Sequence, residues 1–148
     1  MKKNLSFILF FCLICMFAAG CSGKETPQTD DGVDVDLTIL SSTMVYAEVY
    51  NITSSPGDYM GKTVKMSGPY YASYYSETGL YYHYVIVEDA AACCQSGLEF
   101  IWNGNHDYPE DYPEEQTIIE VVGVFGSYDE LGRTYYFLSV DDISISES

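Results

Sequence analysis

Five stretches of this chain read as short strands set off by turn residues, and the first of them alternates polar and apolar residues with a period of two. Lys62-Thr-Val64-Lys-Met66-Ser67 is the first, and Gly68-Pro69 is predicted to break or bulge it. Leu80 to Glu88 follows Ser76-Glu-Thr-Gly79, a hairpin-type turn. Leu98, Phe100 and Trp102 alternate with Glu99 and Ile101. Thr117 to Gly126 carries Ile119, Val121, Gly123 and Phe125 on one face, which predicts Val121 and Phe125 inward and Glu120 outward. Arg133 to Val140 follows the turn Asp129-Glu-Leu-Gly132 and sets Tyr136, Leu138 and Val140 on one side. Neighbouring side chains on a strand point to opposite faces, so each stretch reads as a half-buried strand.

The strands have one helical companion. Val45, Val49 and Ile52 recur at spacings of 4 and 3 within residues 42–55, which predicts a short helix with Ser42 or Thr43 at its cap and Pro56-Gly57 at its end. Such a helix is too short to stand alone, so its apolar face must dock on the strands. A chain of 148 residues allows one domain of modest size. Five short antiparallel strands with glycines at bend positions suit a small closed or partly open barrel, and the expected architecture is an all-β, five-stranded OB-fold-like barrel over 42–146. A two-sheet sandwich is the alternative, but it usually wants seven strands.

The N-terminus reads differently. Lys2 and Lys3 precede an apolar run from Leu5 to Gly20, which has signal-peptide length and is short for a bilayer span. The run ends Phe17-Ala18-Ala19-Gly20-Cys21, which resembles the lipobox of bacterial lipoproteins. In that family the leader, here 1–20, is removed and the cysteine, here Cys21, is acylated. The resemblance implies a protein anchored to the cell membrane by lipid on its extracytoplasmic side. Cys12 and Cys15 would leave with the leader. Loss of Lys2 and Lys3 leaves 4 basic residues against 22 acidic ones, a net charge of −18. That field disfavours nucleic acid and attracts cations or a basic partner. Residues 21–41 read as a flexible, self-repelling linker. Its aspartates at 30, 31, 34 and 36 lack the order of a calcium loop.

Two further segments stand out. Seven of the 15 tyrosines fall between residues 70 and 84. Tyr70, Tyr71, Tyr74, Tyr82 and Tyr84 form a candidate binding surface, because aromatic strand faces stack bases or sugars on OB-folds. Tyrosine also simply suits a solvated sheet. Residues 103–116 contain Asp-Tyr-Pro-Glu twice in succession, and prolines four apart oppose a regular helix there. This loop is expected to be a solvated pair of turns.

Two motifs carry a further resemblance. Pro56-Gly-Asp-Tyr59-Met-Gly61-Lys-Thr-Val64-Lys-Met-Ser-Gly68 and Asp89-Ala-Ala-Ala-Cys93-Cys94-Gln-Ser-Gly97-Leu-Glu99-Phe100 together resemble a group of bacterial OB-fold lipoproteins that has no assigned activity. The Asp-x-x-Ala-Cys-Cys pattern is also similar to the soluble part of a membrane family linked to metal homeostasis. The resemblance covers about residues 42–145. It implies the same fold and address, and points towards metal.

Cys93 and Cys94 admit three readings. In a regular strand their side chains would face opposite ways, so only a turn, bulge or helical corner brings the sulfurs together. They can fill space at the barrel end as small soft side chains. They can form a vicinal disulfide, which is strained because adjacent Cα atoms lie about 3.8 Å apart. Or they can bind zinc or copper with His83 and His106, the remaining soft ligands, with Asp89 and Glu99 as outer partners. A Ser-His-Asp order, a phosphate loop and a metalloprotease helix are all missing from the sequence. The expected function is a non-catalytic binding module with a protein or small-ligand partner. A metal-binding accessory lipoprotein and a thiol-redox protein are the alternatives.

Overall fold

The structure is a computed structural model that describes residues 32–146. The leader, Cys21 and the linker as far as residue 31 lie outside the described residues. Among these residues the elements in chain order are strand β1 (Val35–Asp36), helix α1 (Ser42–Ser54), a 3-10 turn (Pro56–Asp58), and strands β2 (Thr63–Tyr75), β3 (Leu80–Glu88), β4 (Gln95–Trp102), β5 (Ile118–Glu130) and β6 (Arg133–Ile145). No helix among the described residues is long and apolar enough to cross a membrane.

The strands form one sheet in the order β1-β2-β3-β4-β6-β5, and β5 also pairs with β2. The hydrogen-bonded circuit of the five long strands therefore returns to its start, giving a small barrel-like all-β fold. Pairing is antiparallel except for β4 with β6 and β1 with β2. Strand β2 serves two partners in succession. Residues Thr63 to Pro69 pair with β5, and Tyr70 to Tyr75 pair with β3.

The expected interruption at Gly68-Pro69 does not occur. The strand runs through both residues and changes partner there. Glycine is required at position 68 by close approach: a Cβ would lie 2.1 Å from the Ile86 carbonyl oxygen of β3. With no side chain, β2 can lie against β3 as it bends away towards β5.

The apolar faces read from the sequence fill the interior, and Val85 of β3 joins them. Val64, Met66, Val85, Leu98, Phe100, Ile119, Val121, Phe125, Leu138 and Val140 are all buried. Glu120 faces outward, 3.1 Å from Lys65. Helix α1 docks Val49 and Ile52 into this core, and both are fully buried. Its N-cap is Ser41, not Ser42 or Thr43, and the Ser41 side chain makes no capping hydrogen bond. The Ser41 carbonyl instead accepts the first helical bond, from Val45 N–H at 2.8 Å.

The folded unit begins upstream of residue 42. Strand β1 runs parallel to β2, and Leu37 is a core residue at 1% exposure. Two of the linker aspartates are local acceptors: Asp34 Oδ2 takes Thr63 N–H at 2.8 Å, and Asp36 Oδ1 takes Thr38 N–H at 2.9 Å. The loop after β4 is also more than a solvated turn pair. Tyr108 and Tyr112, one from each copy of the repeat, pack half-buried against the core.

Candidate functional site

Two places on this fold gather chemistry-bearing side chains. The first is the turn joining β3 to β4. Asp89 organises it. Its backbone N–H donates to Cys94 O at 3.0 Å, and its carbonyl accepts Ala92 N–H at 2.9 Å. Its carboxylate oxygen Oδ1 accepts Cys93 N–H at 2.9 Å and Cys94 N–H at 3.4 Å. Ala92 takes a left-handed φ of 51° to close the corner. The corner defeats the strand rule for adjacent side chains, and the two sulfurs lie 3.6 Å apart. Cys93 Sγ donates to Asp89 Oδ2 at 3.2 Å. That bond holds the Asp89 carboxyl below its ordinary range and the Cys93 thiol above its own, with Cys94 adding to the latter.

This geometry corrects two expectations. Cys93 and Cys94 are exposed free thiols, so they do not fill space at the barrel end. The two histidines do not join them. His83 lies five residues before Glu88 on β3, roughly 17 Å along the strand from the turn. Its ring stacks on Tyr112 at 4.0 Å, and its Nδ1 lies 2.7 Å from the Tyr70 hydroxyl. Burial pushes its pKa down to about 4. His106 follows the far end of β4 and stacks on Trp102 at 3.7 Å. The set that converges is Asp89, Cys93 and Cys94, whose ligand atoms all lie within 4.8 Å of one another.

The second place is on the outer face, between the β2–β3 hairpin and the β5–β6 hairpin. A pocket of about 260 Å³ opens there. Tyr82 and Tyr84 of β3 and Glu99 of β4 line it, facing Tyr128 and Glu130 of β5 and Arg133 of β6. Strand alternation puts them there: Tyr84 is out of phase with buried Val85, and Glu99 with buried Leu98 and Phe100. Register then sets Tyr84 directly beside Glu99.

Glu99 is an outward-facing carboxylate that is nevertheless only 7% exposed. The Tyr128 hydroxyl reaches both its oxygens, at 3.0 and 3.1 Å. Burial pushes its pKa up to about 7; the Tyr128 hydrogen bond opposes the shift and the nearby Glu130 charge adds to it. Tyr82 donates to Glu130 Oε2 at 2.6 Å. Burial, then the Glu99 charge, pushes Tyr84 up to about 12.

The candidate tyrosine surface is only partly assembled. Tyr82 and Tyr84 line the pocket. Tyr71 is exposed and pairs with Tyr84 in register. Tyr74 is exposed and packs on Tyr81 at 5.1 Å. Tyr70 is not a surface residue: it is fully buried in the core, because its parity on β2 matches Met66 and Ala72. Tyr128, Glu130 and Arg133 were not singled out by the sequence. Parity alone places Tyr128 and Glu130 outward, opposite in phase to Phe125, but it does not bring two distant hairpins together.

No known family model matches the chain, and none of the curated proteins searched matches it.

Proposed function

We propose that this chain is a non-catalytic binding module of the OB-fold type, held to the extracytoplasmic face of the cell membrane through acylated Cys21. One observation carries the binding reading. OB-folds take ligands on the face of their second and third strands, between the loops that join strands one to two and four to five. Among the five long strands, the pocket lies on the second and third, β3 and β4, and its remaining walls come from those two hairpins. The acidic lining disfavours phosphate-bearing ligands, in line with the net charge. Sugars, amines and small peptides are the compatible classes.

The test is a melting-temperature screen of the acylated protein in detergent against sugars, amines, amino acids and short peptides. At least one class is expected to raise the melting temperature, with the rise lost in Tyr84→Ala. A flat screen would end the binding reading. Fatty-acid labelling of wild type and Cys21→Ser tests the anchor, and label retained in the variant would end that part.

The convergence of Asp89, Cys93 and Cys94 favours a second reading, a metal-binding accessory lipoprotein. Two thiolates and a carboxylate suit zinc, and two thiolates alone suit copper(I). His83 and His106 have no part in that set.

A further inference from the structure

The ligand class of the outer pocket can be argued from its charges, taking the binding reading above as the premise. Glu99 is more than nine-tenths buried, and its one donor among the described side chains is the Tyr128 hydroxyl. A single proton there serves two oxygens that together accept about four hydrogen bonds. A buried carboxylate left in this way is costly until a cation or further donors reach it. Glu130 brings a second carboxylate to the same pocket, and its Oε2 already receives the Tyr82 hydroxyl. Arg133 sits exposed at the rim, and no ion pair joins it to a carboxylate among the described residues. The lining therefore sets two carboxyl groups, Glu130 and a Glu99 that burial keeps protonated up to about pH 7, against one peripheral positive charge.

We propose that this pocket binds a small organic cation, an amine or quaternary ammonium group, with Glu99 and Glu130 as its counter-charges and Tyr82, Tyr84 and Tyr128 as its walls. Tyrosines around an acidic floor suit such a group twice over. The rings attract a cation through their quadrupoles, and the walls exclude water from the ion pair. The size agrees, because about 260 Å³ lies just under the usual range of about 300–1,000 Å³ for small-molecule sites. A neutral sugar would bring hydrogen bonds but no counter-charge for Glu130, nor for Glu99 once it ionises. The strongly acidic chain also concentrates cations at its surface.

The experiment is calorimetric titration of the acylated protein in detergent with choline, tetramethylammonium, n-butylamine and glycine betaine. The control is 3,3-dimethylbutan-1-ol, the uncharged carbon isostere of choline. At least one of the cations is expected to bind at least tenfold more tightly than the neutral alcohol. Glu99→Gln and Glu130→Gln should each weaken that cation by at least tenfold and leave the neutral alcohol unchanged. Glu99→Gln keeps an acceptor for Tyr128, and Glu130→Gln provides a second variant if the first folds poorly. A preference for betaine that is lost in Arg133→Gln would place the anionic end of a zwitterion at the rim and still support the cation site. Equal binding of choline and its isostere would overturn the proposal, as would failure of all four cationic probes. If a sugar or peptide from the melting screen binds while the cations do not, only the cation proposal falls. If nothing binds in either experiment, the binding reading falls with it.

Discussion

The Tyr128 hydroxyl of β5 reaches over β6 to the Glu99 carboxylate of β4, 3.0 Å from Oε1 and 3.1 Å from Oε2. This contact ties the β5–β6 hairpin to β4 at the floor of the pocket, and it leaves Glu99 buried with one donor. Burial raises the Glu99 pKa from 4.5 to about 7. Between those values the folded chain holds a proton that the unfolded chain has lost, so this group's contribution to stability falls as pH rises. Urea unfolding of wild type and Glu99→Gln between pH 4 and pH 8 should show wild type losing up to about 3 kcal/mol relative to the variant. A difference that stays constant with pH would mean that Glu99 does not titrate in that window.

His83 should show the opposite slope. Burial lowers its pKa from 6.5 to about 4. In that interval the unfolded chain binds the extra proton, so stability falls as the solution is acidified. His83→Phe keeps a ring against Tyr112 and removes the titration. It also strands the Tyr70 hydroxyl, at a cost of about 1–3 kcal/mol at neutral pH. The variant should therefore be the less stable protein at pH 7.5 and should close the gap towards pH 4.5. A gap that widens in acid would contradict the burial argument.

Phe125 and Glu120 test the faces of β5. Phe125 is 1% exposed and stacks on Tyr136 at 5.8 Å. Phe125→Ala should cost about 3–5 kcal/mol, enough to unfold a domain of this size. Glu120→Ala removes a surface pair with Lys65 and should cost no more than about 1 kcal/mol. Denaturation midpoints that move equally in the two variants would reverse the assigned faces.

For the thiol corner, added zinc should raise the melting temperature of the wild type by mass action. Cys93→Ala and Cys94→Ala should each abolish the rise, and His106→Ala should keep it, because His106 stacks on Trp102 beyond the far end of β4. The zinc effect should weaken as pH falls, since both thiols must lose their protons to bind metal and the Asp89 hydrogen bond already raises the Cys93 pKa. Loss of the effect in His106→Ala would restore the mixed cysteine–histidine set.

The parity of each strand was legible from the residues alone. Burial is the strongest force on a half-exposed strand, and a period of two records it directly in Val121, Phe125, Leu138 and Val140. Helix α1 was legible for the same reason, through Val49 and Ile52. The ends of elements were less so. Gly68 read as a break because its role depends on the Ile86 carbonyl of a neighbouring strand. Leu37 read as linker because the acidic composition of the segment outweighed the short period of two that Val33, Val35, Leu37 and Ile39 form with Asp34, Asp36 and Thr38.

By itself, then, the amino-acid order determined the inward faces of α1, β5 and β6 and that Asp89, Cys93 and Cys94 share one short segment. Tertiary structure decided what meets what. It turned both sulfurs to one side and out into solvent, took Tyr70 into the core with His83 half-buried against it, and carried Glu99 to Tyr128 from 29 residues away. The physical reason is that local periodicity encodes burial one element at a time. Contacts between elements depend on strand pairing, and only when β5 closes back onto β2 are the outer faces of the two hairpins brought to opposite sides of one acidic pocket.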